Sequence, residues 1–140
     1  MNYLLDTNVV SELVAKHPNE NVLQWVQSVE EGCLYLSVIT IGEIKKGIEK
    51  LPASPRKDEL NAWLVNDMLD RFGHRLVVVD VEIMLGWGDL MARLERNGRV
   101  MPAMDSLVAA LARAGDFTLV TRNTTDFEGV GIDLLNPWES

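Results

Sequence analysis

Short apolar runs recur along this chain, and each leads into a stretch of helical periodicity. They are Tyr3-Leu4-Leu5, Cys33-Leu34-Tyr35-Leu36, Leu76-Val77-Val78-Val79 and Phe117-Thr118-Leu119-Val120-Thr121. A continuous apolar run of this length marks a strand buried on both faces, as in a parallel sheet. Strands that alternate with helices build right-handed βαβ units. The pattern predicts an α/β fold in three layers, with a mostly parallel four- to five-stranded sheet flanked by helices on both faces. A last strand is expected within 132–135.

The helices are marked by period and punctuation. One is expected over 8–14. A second starts at Asn19 or Asn21 and runs to about Val29, with Val22, Trp25, Val26 and Val29 at helical spacing and Gly32 as the stop. Ser37 or Thr40 opens a third, with Ile41, Ile44 and Ile48 on one face. Ser54 followed by Pro55 is a cap and first-turn pair, and that helix runs to about Phe72 before Gly73. Asp80 caps a helix over 81–96, with Ile83, Trp87, Leu90, Met91 and Leu94 inward. The compact helix over 104–114 carries Leu107, Val108 and Leu111, and Gly115 ends it. The strand at 76–79 should be buried on both faces. Trp25, Trp63 and Trp87 fall on helix faces and read as core or interface residues rather than base-stacking platforms.

The chain has 140 residues, enough for one domain over 1–140 with a core of its own. A lone cysteine, Cys33, excludes an intramolecular disulfide. No apolar stretch spans a bilayer and no leader precedes the first strand, so the expected location is cytoplasmic and no membrane partner is expected. The net charge of −8 argues against holding nucleic acid by an overall basic field. It does not exclude carboxylates gathered on cations. The basic groups Lys45, Lys46, Lys50, Arg56, Lys57 and Arg93, Arg96, Arg99 read first as solvated helix faces.

Acids punctuate the starts of helices. Asp6 ends the first strand and is followed by Thr7 and Asn8; Glu43 lies about one turn after the second strand; Asp105 opens the compact helix; Asp126 follows the fourth strand. In a parallel sheet the carboxyl ends of the strands share one edge, where open α/β sheets bind ligands. Each acid also has a plain structural explanation. Asp6 can cap a helix, Thr40 with Glu43 matches a capping box, Asp105 complements a helix dipole, and Asn123 with Asp126 has cap-like spacing. Capping does not require the four to gather in one place, and their joint placement is what points to a site.

Clustered carboxylates without histidine or thiol company suit a hard cation, Mg²⁺ or Mn²⁺. His17 and His74 lie in loops, outside ligand spacing with each other or with Cys33. Such a cation activates water for attack on phosphorus, the chemistry of metal-dependent nucleases. Other acid-rich α/β readings fail on particular residues. A haloacid-dehalogenase-like phosphatase needs an acid where Asn8 stands. A response-regulator receiver needs acids where Leu4 and Leu5 stand. Gly42 to Gly47 lacks the Gly-Lys-Ser/Thr end of a phosphate loop.

The segments Leu-Leu-Asp6-Thr7-Asn8-Val-Val-Ser11-Glu12, Leu-Ser-Val-Ile-Thr40-Ile-Gly-Glu43-Ile-Lys-Lys-Gly47, Pro102-Ala-Met-Asp105-Ser-Leu-Val and Val-Thr121-Arg122-Asn123-Thr-Thr-Asp126-Phe127, with Asn136-Pro137-Trp138 at the end, resemble in order and spacing a PIN-domain ribonuclease. The nearest likeness is to VapC-type toxins of type II toxin–antitoxin systems, in the FitB-like branch. The resemblance spans nearly the whole chain. It implies a three-layer PIN-like domain and a Mg²⁺-dependent endoribonuclease acting on tRNA or other RNA. It also implies a cognate VapB-like antitoxin, a homodimer, and contact with DNA only through the antitoxin. The metal acids it carries over are Asp6, Glu43 and Asp105. Thr7, Asn8 and Thr121 are implied to orient waters or carboxylates. Some relatives have an acid where this chain has Asn123, so either Asn123 or Asp126 fills the fourth position. The helices within 11–29 and 39–50 are implied to form the antitoxin groove. The competing expectation, of a different class, is a non-catalytic or weakly catalytic binding subunit of a toxin–antitoxin complex that represses its own operator through the antitoxin.

Overall fold

The computed structural model describes residues 1–139; Ser140, the last residue of the expected domain, lies outside the described residues. Strands β1 (Tyr3–Leu5), β2 (Leu34–Ser37), β3 (Leu76–Val77), β4 (Thr118–Val120) and β5 (Asp133–Leu135) form one sheet in the order β3-β2-β1-β4-β5. Every pairing is parallel, with Leu5 opposite both Leu36 and Val120. The first strand therefore sits at the centre, between elements from opposite ends of the chain.

Side chains of successive strand residues point to opposite faces, and the core divides accordingly. Leu5, Leu36 and Val120 face one side, where helices α1 (Thr7–Val14), α2 (Glu20–Ser28) and α3 (Val38–Glu49) supply Val9, Val10, Val22, Val26, Ile44 and Ile48. Leu4 and Leu119 face the other, against α6 (Val81–Arg96) and α7 (Ala103–Ala114) through Leu90, Leu94, Val108 and Leu111. The three predicted layers are present. Tyr3 and Trp25 pack edge to face at 5.0 Å, and the Trp87 indole donates to Ser106 Oγ at 2.8 Å, so both tryptophans serve packing.

The caps follow the sequence, with instructive shifts. Asn19 caps α2 and Ser54 caps the helix starting at Pro55. That helix continues through α4 (Pro55–Ala62), a wider π-type stretch at Trp63–Met68, and α5 (Leu69–Phe72). Helix α2 ends at Ser28, and Gly32 lies instead in a short 3-10 turn, Glu31–Cys33. The run at 76–79 gives only the two-residue β3, half-buried, with Val78 59% exposed. The reason is position: β3 is an edge strand paired with β2 alone, so the burial on two faces that its composition suggests does not extend along it. Among the described residues no helix is long and apolar enough to cross a membrane.

Arg75 joins this edge to the rest. Its buried guanidinium donates to the carbonyl oxygens of Glu31 (2.6 Å), Leu34 (2.5 Å) and Arg71 (2.6 Å), and pairs with Glu31 Oε2 at 2.9 Å. It also lies over the Phe72 ring at 5.1 Å. Arg71 meets Glu31 Oε1 at 2.9 Å, and the two guanidinium groups, Arg71 foremost, hold the Glu31 carboxyl below its ordinary range. Arg75→Ala should destabilise the fold by about 3 kcal/mol in urea unfolding, because it orphans several buried carbonyls at once. A depressed carboxyl contributes stability that is present above its unfolded range and lost as pH falls through its folded value. Acid titration of the melting temperature should show that loss in the native chain and a smaller one in Glu31→Gln.

Candidate active site

Parallel pairing sets the polar residues that end the strands side by side. One residue beyond the registered Leu5, Leu36 and Val120 stand Asp6, Ser37 and Thr121. All three are buried, and each lies at the carboxyl edge of its strand.

Asp6 is the N-cap of α1, as its residue type suggested: its Oδ1 accepts from the Thr7 amide at 2.9 Å. Its Oδ2 accepts from the Thr121 hydroxyl at 2.8 Å. Burial pushes the Asp6 carboxyl above its ordinary range, the bonds from Thr121 and Thr7 oppose that, and the charge of Glu43 adds to it. Thr121 is a hub. It donates to Asp6 and accepts from Asn8 Nδ2 at 3.2 Å and from the Asn123 amide at 3.1 Å.

Glu43 reaches the same edge from α3. The Thr7 hydroxyl donates to its Oε1 at 2.7 Å. The expected Thr40–Glu43 capping box does not form. Ser37 is the cap and accepts from the Thr40 amide at 3.1 Å, so Glu43 lies in the second turn, with no capping duty. Buried Thr40 fills the gap, its hydroxyl 3.2 Å from that of Thr7 and 3.3 Å from that of Ser37. Ser37 and Thr40 were legible only as caps; that their hydroxyls continue the network depends on neighbours distant in sequence.

Asp105 lies in the first turn of α7. Burial raises its carboxyl above the ordinary range, and the charges of Asp6, Glu43 and Asp126 raise it further, in that order. The four acids thus share one electrostatic neighbourhood. Asp126 is exposed on a 3-10 turn, Thr124–Phe127, and lines with Asp105 a cavity of about 280 Å³. Arg99 fastens that turn, donating to the Asp126 carbonyl at 2.7 Å and to the Glu128 carbonyl. The sequence grouped Arg99 with its basic neighbours and gave no sign of this reach. Asn123 joins the network through its backbone amide, and its residue is exposed.

The donor set is oxygen only, which suits a hard divalent cation and not zinc. Cys33 and His74 lie before β2 and β3, at the opposite edge of the sheet, and His17 is exposed beyond the end of α1. Among the described residues no three acidic, histidine or cysteine side chains close on one point tightly enough to hold an ion as they stand. The like-charge pressure on Asp105 is what a cation would relieve, and in that sense the residues fit one.

Two grooves border the acids. One, of about 240 Å³, is lined by Thr7, Ser11 and Val14 of α1, Glu43 and Ile48 of α3, and Trp63. The other, of about 770 Å³, is lined by Val38, Glu43, Lys46, Lys50, Met104 and Leu107, among others, and is largely apolar. Glu43 stands where the two meet.

A parallel sheet of this order with acids gathered at its carboxyl edge is an open α/β fold of the kind that binds ligands at that edge. The chain belongs to the PIN-domain family: the family model described as PIN domain matches residues 3–132. It is 37% identical to the VapC ribonuclease Y4jK of Sinorhizobium fredii (strain NBRC 101917 / NGR234), over 97% of each chain. It is 32% identical to the Toxin FitB of Neisseria gonorrhoeae (strain ATCC 700825 / FA 1090), over 96% of this chain and 97% of that one. Among solved structures, FitAB bound to an IR36 DNA fragment superposes with a TM-score of 0.91 at 31% identity, covering 97% of this chain and 95% of the other.

A carboxyl raised in the folded state favours folding while protonated, and that stability is lost as pH rises through its folded value. Asp105→Asn removes a charge from this crowd. The variant should melt a few degrees above the native chain at pH 7, and the gap should close on acidification through the raised carboxyl range. Differential scanning calorimetry in EDTA checks both.

Proposed function

We propose that the chain is a metal-dependent endoribonuclease, the toxin of a type II toxin–antitoxin pair, which hydrolyses phosphodiester bonds in tRNA or other structured RNA. The observation that carries this reading is the like-charge pressure on Asp105 from Asp6, Glu43 and Asp126 at the carboxyl edge. Capping alone gives no reason for those charges to converge. Relatives named as a VapC ribonuclease and as a toxin support it.

Asp6, Glu43 and Asp105 would hold Mg²⁺ or Mn²⁺, with Asp126 or Asn123 in the fourth position. A bound divalent ion supplies activation of water and stabilisation of the charge that builds up in an in-line displacement at phosphorus. The chain's own polar residues aim the carboxylates. Thr121 and the Thr7 amide fix both Asp6 oxygens, Thr7 Oγ1 fixes Glu43, and Asn8 braces Thr121.

A cognate VapB-like antitoxin fits the groove between α1 and α3, where a basic side chain could enter among the acids. DNA would be met only through that partner, in keeping with the −8 charge and with the DNA-bound FitAB complex. A homodimer is part of the same proposal. Val38 and Met104, 38% and 50% exposed on the larger apolar groove, supply surface for such an interface.

One observation favours the second reading, a non-catalytic subunit acting through an operator-bound complex: the acids do not close on a common point among the described residues. Cleavage of tRNA by the purified chain separates the two. Native protein should cut in Mg²⁺ and stop in EDTA, and Asp6→Asn and Asp105→Asn should each lose on the order of 10²-fold or more in rate while remaining folded. Mg²⁺ should raise the melting temperature of the native chain and not that of Asp105→Asn. Operator binding by the complex, with no metal-dependent cutting by the free chain, would favour the second reading. Asn123→Ala and Asp126→Ala assayed side by side assign the fourth position: the larger loss marks the residue that fills it.

A further inference from the structure

The acids leave a problem for an RNA-binding chain, since a strand must approach a site that repels its phosphates. Six of the thirteen lysines and arginines are committed elsewhere. Arg71 and Arg75 pair with Glu31, Lys45 and Lys57 with Glu49, Arg56 with Glu59, and Arg99 is tied to backbone carbonyls. Arg122 makes none of the ion pairs found among the described residues, and it directly follows Thr121, the residue that donates to Asp6.

Arg122 is also held. Its backbone amide donates to Asn8 Oδ1 at 3.3 Å, the same Asn8 whose amide nitrogen reaches Thr121. Its carbonyl accepts from Asn136 Nδ2 at 3.3 Å. Its guanidinium lies over the Trp138 ring at 5.3 Å, while the residue remains exposed. Trp138 is itself anchored: its amide donates to Asn136 Oδ1 at 2.9 Å, and its carbonyl accepts from Asn21 of α2 at 3.0 Å. Stacking on an aromatic face limits the rotamers of a long side chain and leaves the edge of the planar fork free to donate. An unpaired, pre-positioned guanidinium on the residue next to Thr121, which seats Asp6, has the chemistry of a phosphate clamp.

We infer that Arg122, seated on Trp138, is a substrate-binding residue that grips an RNA backbone phosphate next to the bond being cut. The inference rests on the nuclease reading for its ligand, and its test does not depend on cleavage. The probe is bulk bacterial tRNA labelled with fluorescein at the 3′ end. Binding is followed by anisotropy in Mg²⁺ from 50 to 200 mM NaCl, with Asp105→Asn protein as the parent and gels confirming an intact probe. Arg122→Gln keeps a planar group on the indole without the charge, and Arg122→Lys keeps the charge. Arg122→Gln should weaken binding about tenfold at 50 mM NaCl and should lower the salt slope of log K by roughly 0.7–0.9, the loss of one phosphate contact. Arg122→Lys should retain the slope.

Unchanged affinity and slope in Arg122→Gln, with native melting, would overturn the clamp and leave Arg122 a structural brace. Parallel cleavage assays on the native chain keep the two ideas apart. Cutting by native protein with no Arg122 effect removes the clamp alone. An Arg122 effect without cutting removes the nuclease reading and the place beside a cut bond, and leaves the phosphate contact itself standing. No binding of tRNA by parent or variant, together with no cutting by the native chain, overturns both.

Discussion

The hydrogen bond from Thr121 to Asp6 is the contact on which the candidate site depends. It joins the ends of the two strands at the middle of the sheet and lets a carboxylate remain in a nearly closed environment. Burial alone would drive Asp6 towards its neutral form, which binds cations poorly. Two donated bonds, from Thr121 and from the Thr7 amide, work against that. The same two threonines then spread the order outward. Thr7 fixes Glu43, and Thr121 collects Asn8 and the Asn123 turn. Hydroxyl groups suit this role because each can donate and accept at once.

Such a site stores electrostatic stress. Four acids bear on one another across an edge whose apolar layers cannot screen them, and the fold tolerates this because its core is made elsewhere, on the two faces of the sheet. The packed core and the acidic edge are thus separated in space. The core residues of β1 precede Asp6, and those of α1 follow it at Val9 and Val10. The polar residues between them contribute little packing and most of the hydrogen-bond network at the carboxyl edge.

The sequence made the layers readable because buried parallel strands and amphipathic helices have different periods. It also pointed Asp6, Glu43 and Asp126 to one edge, since parallel strands end together, while Asp105 was read only from its place at a helix start. It misjudged elements whose character depends on neighbours. The run at 76–79 has the composition of a central strand but lies at an edge, and no local pattern tells the two apart. Thr40 and Glu43 have the letters of a capping box, but Ser37 starts the helix three residues earlier. Arg99 looked like surface charge, and nothing local singled out Arg75. Their bonds go to carbonyls that the chain presents at distant positions, which spacing along the sequence does not encode.

The central place of β1 has a consequence for synthesis. Its partner β4, and with it Thr121, follows Asn8 by 113 residues. At ordinary translation speeds that interval lasts roughly 6–23 s. Through this time the first strand is a half-paired template and Asp6 lacks the hydroxyl that seats it. The seating of Asp6 therefore arrives in one late step, when β4 and Thr121 emerge, and a nascent or truncated copy lacking β4 carries the acids of its first half without that hydroxyl.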